Sequence, residues 1–93
     1  MKRIRLYIGL QDNLKRRYSI EDLKPILNRY FEGYSITKTF GVYNGSQELS
    51  CIVETLQNTE DSYCLEKLAD EIKIALNQES VLVTVEEIDA RFL

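Results

Sequence analysis

The 93-residue chain contains no histidine, which removes the commonest general base, the commonest zinc ligand and the usual nucleophile triads. Arginine, tyrosine, glutamate and cysteine remain as chemical groups. Arg5 and Tyr7 stand two residues apart near the start, so in a strand they share a face and could meet an anion. Gly41 and Gly45 flank a short segment where backbone could come close to a ligand. Lys15-Arg16-Arg17 could attract an anion or simply keep a loop in water. Glu86-Glu87-x-Asp89 could hold a hard cation, but a solvated acidic tail accounts for it better, and no metal is expected. Cys51 and Cys64 lack C-x-x-C spacing, and neither a Walker nor a dinucleotide glycine pattern is present, so no cofactor is expected. Tyr7 and Tyr30 could donate protons, although packing explains them more simply.

These residues must be positioned by alternating strands and helical stripes. Residues 2–10 place Ile4, Leu6, Ile8 and Leu10 on one side and Arg3, Arg5, Tyr7 and Gly9 on the other, a strand with one face on a core. Residues 11–18 are polar and basic and read as a loop. Ser19-x-x-Asp22 resembles a capping box; Asp22 as the cap would leave Pro25 less strained in the first turn. Ile20, Leu23, Leu27, Tyr30 and Phe31 follow helical spacing, with Gly33 as the stop.

The stretch from Gly33 to Leu56 reads as two strands around the turn dipeptide Asn44-Gly45, with a loop extending toward Glu48. Ile36, Phe40 and Val42 share one inward parity, as do Leu49, Cys51 and Val53. Lys38 breaks that parity, which puts it near a strand end or at a bulge, and Gly41 suggests either a bulge or a close approach by a ligand or partner. The polar run 57–61 marks a loop and a capped helix start. A second stripe follows in Leu65, Leu68, Ile72, Ala75 and Leu76, with surface pairs Lys67/Glu71 and Asp70/Lys73. Residues 80–85 make a last strand and 86–93 a tail. Both cysteines fall on apolar faces and read as buried thiols.

The order β-α-β-β-α-β, with short connections and right-handed crossovers, gives a single ferredoxin-like α+β domain over residues 1–93: a four-stranded antiparallel sheet with both helices on one face. Alternation then leaves Arg3, Arg5, Tyr7, Thr37, Thr39, Tyr43, Ser50, Ile52, Glu54, Leu82 and Thr84 on the uncovered face. That mixture is too apolar to be indifferent to water and points to self-association, the alternative being plain solvent exposure with Arg5–Glu54 cross-strand pairing.

The net charge is −3, unevenly spread. Six of the twelve basic residues lie at or before Arg17 against one acid, Asp12. Overall acidity, and the lack of aromatics on the third strand for base stacking, argue against nucleic acid. No apolar run approaches a membrane span and the start alternates instead of forming a signal-peptide core, so a soluble cytoplasmic protein is expected.

Leu6-Tyr7-Ile8-Gly9-Leu10, Gly41-Val42-Tyr43-Asn44-Gly45 with Glu48-Leu49-Ser50, and Gln78-Glu79-Ser80-Val81-Leu82 resemble a small bacterial family of unknown function. Its members read L-Y-x-G-L, G-x-W/Y-x-G followed by E-S, and Q-E-S-V-L. A weaker, fold-level similarity is to the oligomeric nitrogen-regulatory signal proteins, which bind nucleotides between subunits. The resemblance implies functional weight at Tyr7, Gly41, Tyr43, Gly45, Glu48 and Glu79, which sit at outward, turn or strand-end positions; Arg5 joins them as a candidate ligand-binding residue.

The resulting expectation is a homo-oligomer, not an enzyme, that binds or sequesters a small anionic, nucleotide-like ligand between subunits. One alternative is an acidic protein-binding inhibitor or adaptor. Another is a small dimeric enzyme with a pocket between two sheets. The missing catalytic groups lean the reading away from an enzyme while leaving one open.

Overall fold

The computed structural model describes residues 1–58 and 62–93. The elements are β1 (Lys2–Gly9), α1 (Ile20–Leu27), β2 (Ser35–Tyr43), β3 (Ser46–Gln57), α2 (Ser62–Ala75) and β4 (Leu82–Glu87). The sheet order is β2-β3-β1-β4, and every neighbouring pair is antiparallel. This is the ferredoxin-like sandwich expected from the alternation. The loop-and-cap expectation for 57–61 lies partly outside the described residues, at Thr59, Glu60 and Asp61. Among the described residues, no helix is long and apolar enough to cross a membrane.

Leu6 and Ile8 of β1 and Cys51 and Val53 of β3 are buried against Leu23, Ile26 and Leu27 of α1 and Leu68, Ile72 and Leu76 at α2, and Ile4 is buried on the same side of β1. Each large aliphatic side chain buried this way contributes about 1.5–3 kcal/mol. Ala75, assigned above to the second stripe, is exposed; Leu76 in the turn after α2 takes the core position. Cys64 is exposed as well, correcting its reading as a buried thiol, whereas burial pushes the Cys51 thiol up to about 11.

Ser19 caps α1, and Asp22 is the third residue of the helix. The Ser19 hydroxyl accepts from the Glu21 amide at 3.1 Å, and Asp22 Oδ2 accepts from the Ser19 amide at 2.9 Å. Two reciprocal hydrogen bonds therefore outweigh the amide hydrogen that Pro25 lacks inside the helix. The helix stops at Leu27, well before Gly33, and the Tyr30 and Phe31 amides both turn back to the Leu27 carbonyl. Glu71 pairs across to Arg29 at 3.2 Å instead of with Lys67, while Asp70–Lys73 forms at 2.9 Å.

β4 runs two residues later than expected and includes Glu86 and Glu87. Glu86 meets Arg3 at 3.1 Å, Glu87 meets Lys2 at 2.7 Å, and Asp89 meets Arg91 at 3.2 Å. The acidic run is thus divided among separate cations, and the described residues contain no cluster suited to a metal ion.

The loop between β1 and α1 is built on Asp12, which is buried. Its Oδ1 accepts from the amides of Leu14 and Arg16, both at 2.9 Å, and its Oδ2 accepts from Arg16 Nε at 2.7 Å and the Tyr18 hydroxyl at 2.8 Å. Burial alone would raise the Asp12 pKa, but the Tyr18 and Arg16 donors outweigh it and hold the carboxyl well below the usual range.

Two measurements follow from these contacts. Ser19→Ala should cost about 1 kcal/mol in urea unfolding; a neutral effect would return the cap to Asp22. The Asp12 pKa is lower folded than unfolded, so its stabilisation is complete above about pH 4 and is lost as pH falls further. The gap in urea midpoint between wild type and Asp12→Asn should be wide at pH 6 and close progressively toward pH 2. A gap independent of pH would show that the carboxylate charge is not what holds the loop.

Candidate functional site

The β2–β3 hairpin outruns the rest of the molecule. β1 ends at the Gly9–Ser50 pair, whereas β2 and β3 continue through Phe40–Leu49, Gly41–Glu48 and Val42–Gln47 to Tyr43–Ser46. Those four rungs carry the ribbon about 13 Å past β1. The radius of gyration is accordingly 13.6 Å with a longest extent of 43 Å, where a compact chain of this length would give about 12 Å. The inward parity holds, but no helix reaches the ribbon: Phe40 is 72% exposed, Val42 74% and Tyr43 69%.

Asn44 (φ 50°) and Gly45 (φ 76°) form a two-residue turn with both central residues left-handed, the geometry whose twist suits a hairpin. The loop is shorter than expected, and Ser46, Gln47 and Glu48 belong to β3. Pairing from Ser35–Glu54 to Tyr43–Ser46 is continuous, so neither Lys38 nor Gly41 marks a bulge. A Cβ built on Gly41 would meet only the Ser50 hydroxyl, at an ordinary 3.7 Å. Nothing inside the chain requires glycine there.

The register assigns each candidate its place. Gly41 lies opposite Glu48 on the uncovered face, with Tyr43 and Ser46 the next same-face pair toward the tip and Thr39–Ser50 the next same-face pair below. The Thr39 and Ser50 hydroxyls are 2.7 Å apart, and Ser50 also donates to the Thr39 carbonyl at 3.2 Å. Among the described residues no cation pairs with Glu48, which is exposed. Lower on the same face, Tyr7 sits between Ile52 and Leu82. Arg5 is farther down, its Nε 2.7 Å from Glu54. That hydrogen bond is the main reason its pKa is raised. Arg3 joins Glu54 and Glu86, giving two arginines and two glutamates in one balanced lattice.

The structure therefore brings Gly41, Tyr43, Gly45 and Glu48 together on the ribbon. Tyr7 stands below them and Arg5 is engaged by carboxylates. Glu79 lies toward the other edge of the sheet, accepting from Asn13 Nδ2 at 3.1 Å. The sequence reasoning missed the underside of the ribbon, where Leu10, Tyr18, Ile20, Phe40 and Leu49 line a slot with Arg17 and Lys38. The available signal was Lys38 itself, a charge on an inward parity.

No family model matches the chain, and neither does any curated protein. Its fold is similar to that of a phage SAM lyase in the apo state, with TM-score 0.71 and 23% identity, covering 91% of this chain and 78% of that one. It is also similar to a DUF3240 family protein from Shewanella baltica OS155, with TM-score 0.61 and 13% identity over 99% of this chain and 94% of that one. The de novo designed protein Foldit4 gives TM-score 0.57 and 17% identity over 95% and 98%. At these identities the likeness establishes the fold. The lean away from an enzyme is nevertheless corrected by the phage protein: the same fold carries a lyase, so missing histidines and missing motifs do not count against catalysis.

Gly41→Ala should leave stability unchanged or raise it by up to about 1 kcal/mol, because glycine inside a strand is intrinsically unfavourable. Thermal unfolding checks this. A clear destabilisation would mean that the chain's own packing demands the glycine.

Proposed function

We propose that the chain is a small enzyme that cleaves S-adenosylmethionine or a similar sulfonium nucleoside, with the substrate held against the uncovered face of the ribbon between subunits. The observation that carries this reading is Gly41: a bare patch of regular strand, unneeded by internal packing, beside an unpaired carboxylate and an exposed aromatic ring. Those neighbours suit a cationic centre better than an anion. Glu48 offers charge, and the Tyr43 ring face offers cation–π attraction. Arg5, the residue that would favour an anion, is neutralised by Glu54. The likeness in fold to the phage SAM lyase supports the choice of substrate, and the motif resemblance at Tyr7, Gly41, Tyr43 and Glu48 supports the choice of residues.

A sulfonium needs little help to break. The carbon–sulfur bonding pair moves to sulfur, which leaves as a neutral thioether. The pair that replaces it comes from within the substrate, either from a C–H bond whose proton a base accepts or from an internal nucleophile. No water, electron or cofactor enters the balance. Glu48 is the group placed to accept a proton or to hold the sulfonium, and the Thr39/Ser50 hydroxyls are placed for ribose. Self-association would close the site: Tyr7, Ile52 and Leu82 form an apolar band across three strands of the same face, and shutting out water strengthens a carboxylate–sulfonium contact.

Incubation with S-adenosylmethionine and no methyl acceptor should consume it and release a thioether nucleoside, read by mass spectrometry. Glu48→Gln should lower kcat at least a hundredfold, and Gly41→Val should raise KM at least tenfold while the fold survives. No turnover, together with no thermal stabilisation by S-adenosylmethionine, would overturn the assignment.

A further inference from the structure

The opposite face of the ribbon carries a second feature that the proposed chemistry does not use. Between the ribbon and the start of α1 lies a slot of about 340 Å³, lined by Leu10, Tyr18, Ile20, Phe40 and Leu49, with Arg17 and Lys38 also contributing. It has a simple origin. Ser19 fixes where α1 begins, the Asp12 hydrogen bonds fix the loop before it, and the ribbon continues beyond both. Inward-parity side chains past that point have a floor but no roof.

The two cations decide what fits. Most basic side chains of the chain have a carboxylate partner: Lys2 with Glu87, Arg3 with Glu86, Arg5 with Glu54, Arg16 with Asp12, Lys24 with Glu21, Arg29 with Glu71, Lys73 with Asp70. Among the described residues no carboxylate pairs with Lys15, Arg17, Lys38 or Lys67, and Arg17 and Lys38 are the two of these that line the slot. In a protein of net charge −3, two unpaired cations facing one apolar slot are poorly explained as general solvation. Lys38 in particular occupies an inward position between Ile36 and Phe40, where an apolar residue would otherwise continue the face.

We propose that this slot binds a small amphipathic anion, a carboxylate on an apolar body of roughly ten heavy atoms. The apolar body would lie on Phe40, Leu49 and Ile20, and the carboxylate would be met by Lys38 and Arg17. A volume near 340 Å³ is at the lower end of what small-molecule sites occupy. The site is separate from Gly41 and Glu48, which face the other way.

The test uses the whole chain with octanoate, and octanol as the neutral control of matching length, followed by amide chemical-shift titration. Octanoate should shift the amides of Leu10, Arg17, Ile20, Lys38, Phe40 and Leu49 in a saturable way, with octanol at least tenfold weaker. Lys38→Gln with Arg17→Gln should weaken octanoate at least tenfold while leaving octanol unchanged and the remaining spectrum intact. Equal affinity for the two compounds would show a merely greasy surface and overturn the proposal. So would an absence of shifts, including the case in which a second copy already fills the slot.

Discussion

The parity of β1 governs everything else in the molecule. Ile4, Leu6 and Ile8 are fully buried on one side of the strand, and Arg3, Arg5 and Tyr7 lie opposite. A slip of one residue would exchange the two sets, exposing three large aliphatic side chains and placing two guanidinium groups in the core. Burial of those aliphatics alone is worth about 1.5–3 kcal/mol each, so the register is fixed from the core side. The balanced Arg3–Arg5–Glu54–Glu86 lattice is then free to organise the opposite face without having to hold the fold.

Because β1 is short and the β2–β3 hairpin is long, the helical layer cannot cover the whole sheet. Alternation continues along the ribbon after the core has ended. Phe40 and Val42 therefore obey the pattern of a buried face and are exposed nonetheless. The same overhang leaves Gly41, Tyr43 and Glu48 on the uncovered face, away from the lattice that neutralises Arg5. One mismatch in length thus produces two unfilled surfaces of different character, one with an exposed carboxylate and an aromatic ring, the other apolar with cations at its rim.

Much of the fold was readable from alternation. Strand parities, the turn at Asn44-Gly45 and the uncovered face all follow from period two, a local property that packing only confirms. The end of α1 was not readable, because Tyr30 and Phe31 keep helical spacing while lying in a turn that folds back on Leu27. The cap lay open between Ser19 and Asp22, because Pro25 suggested a cost that the reciprocal Ser19–Asp22 bonds exceed. At the candidate site, Gly41, Tyr43 and Glu48 were identified, but their meaning depended on the third dimension. Only the structure shows that strand pairing is unbroken at Gly41, whereas the pairing of Arg5 with Glu54 was already one of the two readings that alternation allowed. The slot beneath Phe40 depends on where a helix begins relative to a distant ribbon, and no single segment encodes that relation.

The two cysteines, alike in sequence, differ sharply in the fold. Cys51 lies on β3 between Ile8 and Lys38 of its neighbouring strands, with no exposed surface and a thiol that resists ionisation, while Cys64 faces outward near the start of α2. A thiol reagent applied to the native protein can therefore reach Cys64 directly, and it can reach Cys51 only when the core between sheet and helices opens. The chain thus carries a built-in clock for its own opening, readable with a thiol reagent and without changing a residue.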